Sequence, residues 1–300
     1  MRQGGPWRER AIVAIPFLWL LALFLLPFLV VVKISLSQTA IAQPPYIPIL
    51  DPATGLNGLK DFLAALTFDN YAALAGDRLY LASYGKSLQV AIVSTAILLL
   101  VGYPIAYSIA RAPRRAQAVL VLLVVLPFWT SLLIRVYAWI GILQREGIFN
   151  DTLRALGIID APVAWLSSDT AVYIGIVYSY LPFMVLPIYS VIERMDDALL
   201  EAAADLGAPP LATFWRITLP LTRSGIFAGC LLCFIPIVGE FVIPDLLGGS
   251  NSLMIGQTLW LEFFTNRDWP LASTVGVVML AGLVLPLILY ERLSAREFGG

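Results

Sequence analysis

The sequence has no histidine, only two cysteines and little charge. Asp, Glu, Lys and Arg make up 13% of its 300 residues, against 59% hydrophobic residues. A soluble domain carries roughly twice that charged fraction, about 25%. Without histidine there is no imidazole acid–base catalysis, no Ser-His triad and no histidine metal site. Cys230 and Cys233 have C-x-x-C spacing but lie within an apolar run. They read as two small apolar residues on one helix face, not as a redox pair or metal clamp. A formal net charge of −1 argues against a nucleic-acid partner.

Long apolar runs are what the sequence has in quantity. Crossing about 30 Å of hydrocarbon takes about 20 residues of helix. Six candidate spans meet this, at roughly 11–33, 85–110, 117–143, 170–193, 223–245 and 271–291. Helix is the expected form, because lipid leaves open backbone groups unsatisfied and the runs lack barrel-like alternation. The expectation is an all-α polytopic membrane protein, with residues 1–300 forming one helical bundle. Pro104, Pro127, Pro182, Pro187, Pro236 and Pro286 fall inside the spans. Each removes a backbone donor and bends its helix, as a hinge, a path lining or a packing device.

Basic residues orient the chain. Arg2, Arg8, Arg10, Arg111, Arg114, Arg115, Arg194, Arg216, Arg223, Arg292 and Arg296 flank the spans on one side. Lys33, Lys60, Arg78, Lys86, Arg145, Arg154 and Arg267 flank the other, spread over longer loops. The denser side is expected in the cytoplasm, with both termini and the 194–222 loop; the 34–84 segment is then outside. The basic, apolar start followed by Ala40-Ile41-Ala42 superficially suggests a cleaved signal peptide. However, the run Ala11–Val32 is longer than a signal core and ends far from Ala42, so an uncleaved span is expected. In the outer segment, Gln43–Pro48 is expected to be extended. Asp69-Asn70-Tyr71 is expected to open a short capped helix.

The 194–222 loop is more orderly than a linker. Asp196 and Asp197 can cap a helix, and Ala198–Leu206 holds strong helix formers. Gly207 is placed for the left-handed position that ends such a helix, before Pro209 and Pro210. A second short helix, about 211–216, is expected to lead into Pro220, and Leu199, Leu200, Ala203 and Leu206 can form an apolar stripe. Glu201, Ala202, Ala203, Gly207, Ile217, Leu219 and Pro220 together resemble the E-A-A-x3-G-x9-I-x-L-P signature of ABC-importer permeases. All seven positions match with the right gaps.

The resemblance implies a type I importer permease (MetI-like) bundle whose loop is a coupling helix docked on a separate ATPase. Gly207 would hold its turn and Glu201 would contact or orient the ATPase surface. No nucleotide site is expected in this chain. Gly85-Lys86-Ser87 looks like the end of a P-loop, but Tyr80 stands where the first glycine belongs. ATP and Mg would thus be bound by the partner, and the chain itself would be non-catalytic, with no cofactor and no metal.

Further segments are similar to spermidine/putrescine importer permeases, most of all to those of putrescine systems. They include Ile134–Trp139, Ala171–Tyr178, Pro182–Tyr189, Phe234–Gly249 and Asn266–Pro270. The resemblance runs over nearly the whole chain. It implies polyamine import across a bacterial inner (plasma) membrane. The implied partners are a second homologous permease, an ATPase dimer and an external solute-binding protein. A polyamine is a flexible multiple cation, suited to spaced carboxylates and aromatic faces. Glu240 and Asp245 are the candidate carboxylates, and Glu240 is costly in hydrocarbon unless it faces a cavity or a partner such as Arg135. Tyr137, Trp139 and Tyr178 are the leading aromatic candidates, with Tyr103, Tyr107 and Tyr180 behind them. Tyrosine and tryptophan also anchor span ends at the lipid–water boundary. Another organic cation or an amino acid is the alternative solute. An ion-driven secondary transporter explains the spans but not the loop. An intramembrane enzyme lacks a nucleophile–base pair.

Overall fold

The computed structural model describes residues 6–49, 55–249 and 252–298. Arg2 lies outside the described residues. Arg8, Arg10, Arg292 and Arg296 fall in helical stretches whose side chains are likewise outside the description. The chain is helical almost throughout. Helix α1 (Pro6–Leu20) passes through a π turn, Leu21–Leu25, into α2 (Leu26–Ser35). Two short strands, β1 (Gln38–Thr39) and β2 (Tyr46–Ile47), precede α3 (Gly55–Ala64), α4 (Asp69–Gly76) and the long α5 (Arg78–Ala110). Then come α6 (Arg114–Val125), α7 (Leu132–Leu143), α8 (Ile148–Ala155) and α9 (Asp169–Glu193). The loop contributes α10 (Ala198–Asp205) and α11 (Pro210–Thr213), followed by a π turn, Phe214–Thr218, and α12 (Leu219–Val238). The chain continues with α13 (Val242–Leu247), α14 (Ile255–Trp260), a third π turn, Leu261–Thr265, and α15 (Trp269–Phe298).

Among the described residues, four helices are long and apolar enough to cross a membrane: Val13–Ser35, Arg78–Ala110, Asp169–Glu193 and Pro210–Val238. The expected continuous span 117–143 is instead a pair, Arg114–Trp129 and Leu132–Leu143, bent by 91°. Pro127 lies in the 3-10 turn Leu126–Trp129, and Thr130 is extended. Proline withholds the donor a straight helix needs there. Counting that pair once gives five crossings among the described residues, where the sequence suggests six; Trp269–Val284 is apolar but shorter. The second loop helix also departs from expectation. It does not stop near residue 216 but runs through the π turn into α12. Two π turns end one residue before a Leu-Pro pair, Leu26-Pro27 and Leu219-Pro220. Widening the turn there relieves the clash between the proline ring and the carbonyl four residues back.

The chain folds as two compact units, residues 1–81 with 258–300 and residues 82–257. In the first unit α2 and α4 pack on α15. The sequence suggests an aspartate cap on α4, but Phe68 precedes the helix without a side-chain cap. Asn70 instead turns to the end of α2, donating to the carbonyls of Ser35 at 2.9 Å and Ser37 at 2.7 Å. Thr274 of α15 donates to the same Ser35 carbonyl at 3.1 Å. These bonds satisfy carbonyls that a helix end leaves open. Of the expected extended segment, Tyr46–Ile47 forms a strand, antiparallel to β1 with Thr39 opposite Tyr46.

The second unit is built on α9 against α12. Gly225, Gly229 and Cys233 recur every four residues on α12, and all are buried. A Cβ at Gly225 would stand 2.8 Å from the Pro187 carbonyl oxygen, and one at Gly229 3.0 Å from Met184 Sδ. Lipid is as apolar as leucine, so membrane helices gain by close van der Waals approach, and small residues permit it. Cys233 continues this seam, its thiol directed at the Tyr180 carbonyl at 3.7 Å. Both cysteines are free.

Candidate functional site

The loop closes as a Schellman turn. Gly207 has φ +72°. Its N–H donates to the Ala204 carbonyl at 2.9 Å, and the Ala208 N–H to the Ala203 carbonyl at 3.0 Å. This pairing satisfies the last carbonyls of a helix and places glycine at the left-handed position. At the other end of α10, Asp196 accepts from the Ala198 N–H at 3.0 Å. Asp197 makes no side-chain cap but an ion pair with Arg111, at the end of α5. Ala203 is buried, while Glu201, Ala202 and Gly207 face outward. Ile217 and Leu219 are half-buried, and Pro220 is exposed in the first turn of α12. The expected stripe splits: Ala203 turns in, Leu200 is half-buried, and Leu206 is 88% exposed. Leu211 and Trp215 are exposed as well, at 71% and 59%. The loop therefore leaves Leu206, Leu211 and Trp215 exposed rather than burying them.

Glu240 sits where α12 has ended and α13 has not begun. It is 8% exposed. One oxygen accepts from the N–H groups of Val242 at 3.1 Å and Ile243 at 3.4 Å; the other accepts from the Tyr180 hydroxyl at 2.6 Å. A carboxylate is favourable at the positive end of a helix, and bonds to a charged acceptor are worth about 1.5–3 kcal/mol each. The partner proposed from sequence, Arg135, is elsewhere. Its guanidinium lies 4.9 Å from the centre of the Phe128 ring, and two of its buried nitrogens have no hydrogen-bond partner among the described residues. Gly256 closes the back of the break, where a Cβ would come within 2.5 Å of the Gly239 carbonyl oxygen.

The remaining pathway candidates separate. Asp245 is exposed and accepts from Gln257 at 3.4 Å. Trp139 and Tyr178 meet edge to face, with centroids 5.5 Å apart, on a cavity of about 520 Å³ that Ile97, Tyr173 and Leu181 also line. Tyr137 projects outward, exposed. Tyr103 bonds Thr222 at 3.0 Å and braces α5 against α12, while the Tyr107 ring lies near Arg111, 5.6 Å from it.

The P-loop-like triplet has a structural use. Gly85-Lys86-Ser87 is mid-helix in α5. Lys86 pairs with Asp169 at 2.5 Å, and the Ser87 hydroxyl accepts from the Ile255 N–H at 2.9 Å. Ser252 donates to the other Asp169 oxygen at 2.6 Å. Together they pin the segment after α13 to α5 and α9. Sequence reasoning missed a second buried carboxylate, Glu262, 8% exposed in the third π turn. It accepts from Tyr80 and from Asn266, each at 2.8 Å. Its position between spans reads as a solvated loop. The aromatic neighbours Trp260, Phe263 and Phe264 were the available signal.

Comparison with known proteins agrees with this architecture. Residues 99–298 match the family model described as binding-protein-dependent transport system inner membrane component. The spermidine/putrescine transport system permease protein PotB of Escherichia coli (strain K12) is 43% identical over 228 residues, covering 76% of this chain and 82% of that protein. The protein of the same name from Haemophilus influenzae is 39% identical over 284 residues, covering 95% and 93%. A bacterial ABC transporter importing the acidic polysaccharide alginate has the same fold, with a TM-score of 0.70 at 16% identity, covering 97% of this chain and 96% of that one. Another structure of the alginate transporter, in complex with a periplasmic protein bound to alginate pentasaccharide, gives 0.71 at 15% identity, covering 97% and 94%. The chain belongs to the family of binding-protein-dependent inner-membrane transport components. It is a multi-pass permease of the inner membrane rather than an enzyme.

Proposed function

We propose that this chain is the membrane-spanning subunit of an ATP-driven importer of polyamines, putrescine and spermidine. The loop of α10 and α11 docks on a separate ATPase dimer, which binds ATP and Mg. A second homologous permease completes the path, and an external solute-binding protein delivers the cation. Both termini and the 194–222 loop lie in the cytoplasm. The observation that carries this reading is the Schellman turn at Gly207, which holds Leu206, Leu211 and Trp215 outward on a braced support. Apolar side chains left exposed at a fixed turn mark a surface for a partner. The polyamine passes Trp139 and Tyr178, with Asp245 and Glu240 as the acidic groups along the way. Three of Glu240's acceptor positions are already engaged. What remains suits weak, transient contact with an ammonium group.

The test is reconstitution of the chain with its co-expressed neighbours, measuring ATP hydrolysis and uptake of labelled putrescine and spermidine in parallel. Uptake that requires ATP and falls by at least about tenfold in Gly207→Val, a difference of 1.4 kcal/mol, supports the reading. Uptake by the chain alone, driven by an ion gradient, overturns it.

A further inference from the structure

Helices α5, α6 and α9 of the second unit line two neighbouring stretches of different chemistry, together termed a furrow. At the loop end is a polar cavity of about 610 Å³. Arg111, Arg114 and Gln117 line it, together with Glu193 and Asp197. The same three helices then line an apolar groove of about 490 Å³. Its walls are Leu120 to Pro127 on one side and Pro104 to Ile109 on the other, with Leu181 and Pro182 as the floor. The groove shares Tyr178 and Leu181 with the aromatic cavity on the proposed path, while nothing described above uses the unpaired donors of the polar part.

The polar end has donors to spare. Arg111 gives one guanidinium nitrogen to Asp197, but its Nε and Nη2 are buried with no hydrogen-bond partner among the described residues. A buried, unpaired guanidinium donor is costly, and its fork suits an oxyanion. Gln117 is already spent, donating to the carbonyls of Ala110 and Ala112 at 3.0 Å each. Arg114 stands exposed at the rim. Glu193 and Asp197 keep the cavity from being a general anion trap, and Asp197 is held by Arg111 itself. A partner helix could cover the apolar groove but would leave the arginine donors unsatisfied.

The occupant must be anionic at one end and apolar at the other. From Leu120 to Val125 the groove's α6 wall rises about 8 Å at 1.5 Å per residue. One leaflet of a roughly 30 Å hydrocarbon core is about twice as deep, so an acyl chain lies on this wall for part of its length. We infer that the furrow seats one anionic phospholipid. Its phosphate lies on Arg111 and Arg114, and an acyl chain lies along the α6 wall. Basic pockets between membrane helices hold such headgroups. Because Arg111 also holds Asp197 at the start of α10, the lipid braces the support of the docking loop. The inference rests on the membrane-permease reading and is independent of the transported solute.

The test is native mass spectrometry of the full-length chain in detergent, incubated with phosphatidylglycerol or phosphatidylcholine of matched acyl chains. One phosphatidylglycerol should be retained, with a preference of about tenfold, or 1.4 kcal/mol. Arg111→Gln with Arg114→Gln should abolish the preference, and the double lysine variant should keep part of it. Leu123→Trp, which fills the groove and spares the arginines, should lower retention of both lipids. Asp197→Asn should retain phosphatidylglycerol, which separates lipid binding from the ion pair. Equal retention of the two lipids overturns the inference. So does retention unchanged by both the double glutamine variant and Leu123→Trp, or full displacement by millimolar inorganic phosphate. Lipid selectivity that persists while the transport assay fails would count against the proposed solute and leave the lipid seat standing.

Discussion

The α9–α12 seam and the loop that joins the two helices follow opposite rules. In the seam, glycines at 225 and 229 bring backbones together, and an added Cβ would meet a carbonyl or a thioether within 3.0 Å. At Gly207 an added Cβ meets nothing within 4 Å, so only the positive φ demands glycine. The same residue type thus serves packing in one place and backbone conformation in the other. The seam needs closeness because hydrocarbon supplies no hydrophobic drive between helices. The loop needs a fixed shape because its apolar groups face outward and cannot be held by a core of their own.

Substitutions can separate the two rules. Gly225→Leu should have the largest effect. It drives a side chain into the Pro187 carbonyl and should destabilise the protein by about 3 kcal/mol, at the upper end of overpacking costs. Thermal unfolding of the purified chain in detergent checks this. Next, Glu240→Ala removes the acceptor of Tyr180 and of the first N–H groups of α13. It should cost about 2 kcal/mol for the buried donors left unpaired, by the same measurement. If unfolding is unaffected but uptake is lost, Glu240 acts on the cation and not on the helix break.

Gly207→Val should cost about 1–2 kcal/mol, confined to the loop, because it forces a β-branched residue to positive φ. Gly207→Asn should cost less, since asparagine tolerates that region. Limited proteolysis at the loop, beside uptake, distinguishes the two variants. Trp215→Ala should have the smallest effect on stability, within about 0.5 kcal/mol, because the ring is exposed. Its effect should appear in coupling: ATP hydrolysis should respond less to substrate while unfolding stays unchanged. A marked loss of stability would place Trp215 in the core and undo the contrast between loop and seam.

Much of this was legible in the residues. The hydrophobic runs announced membrane helices, and Gly207 before two prolines announced a left-handed helix end. Both are local, so spacing reports them. Cys230 and Cys233 read as small apolar residues on one helix face; only Cys233 joins the glycine seam, while Cys230 lines a cavity with Ile92 and Leu99 of α5. A bend at Pro127 was expected, as at every proline inside a span, but that it would reach 91° and break the span was not legible. Proline also occurs within α5 at Pro104 and within α9 at Pro182 and Pro187, where the helices continue. What differs is whether neighbours hold the helix together, and one sequence does not show them.

The ionic partnerships were the least legible part. Glu240 was expected to face a cavity or a partner such as Arg135, and it bonds Tyr180. Lys86 looked like part of a phosphate loop and instead holds Asp169. Arg111 looked like a topological marker and instead holds Asp197. Composition, periodicity and local spacing by themselves determined the membrane-helical class and the left-handed turn at Gly207, because these depend on transfer into lipid and on backbone preferences within a few residues. Only the tertiary structure decided which charges are buried, what satisfies them and which apolar groups are left outside. Those outcomes depend on distances between residues 60 to 90 positions apart in the chain, set by how the helices pack.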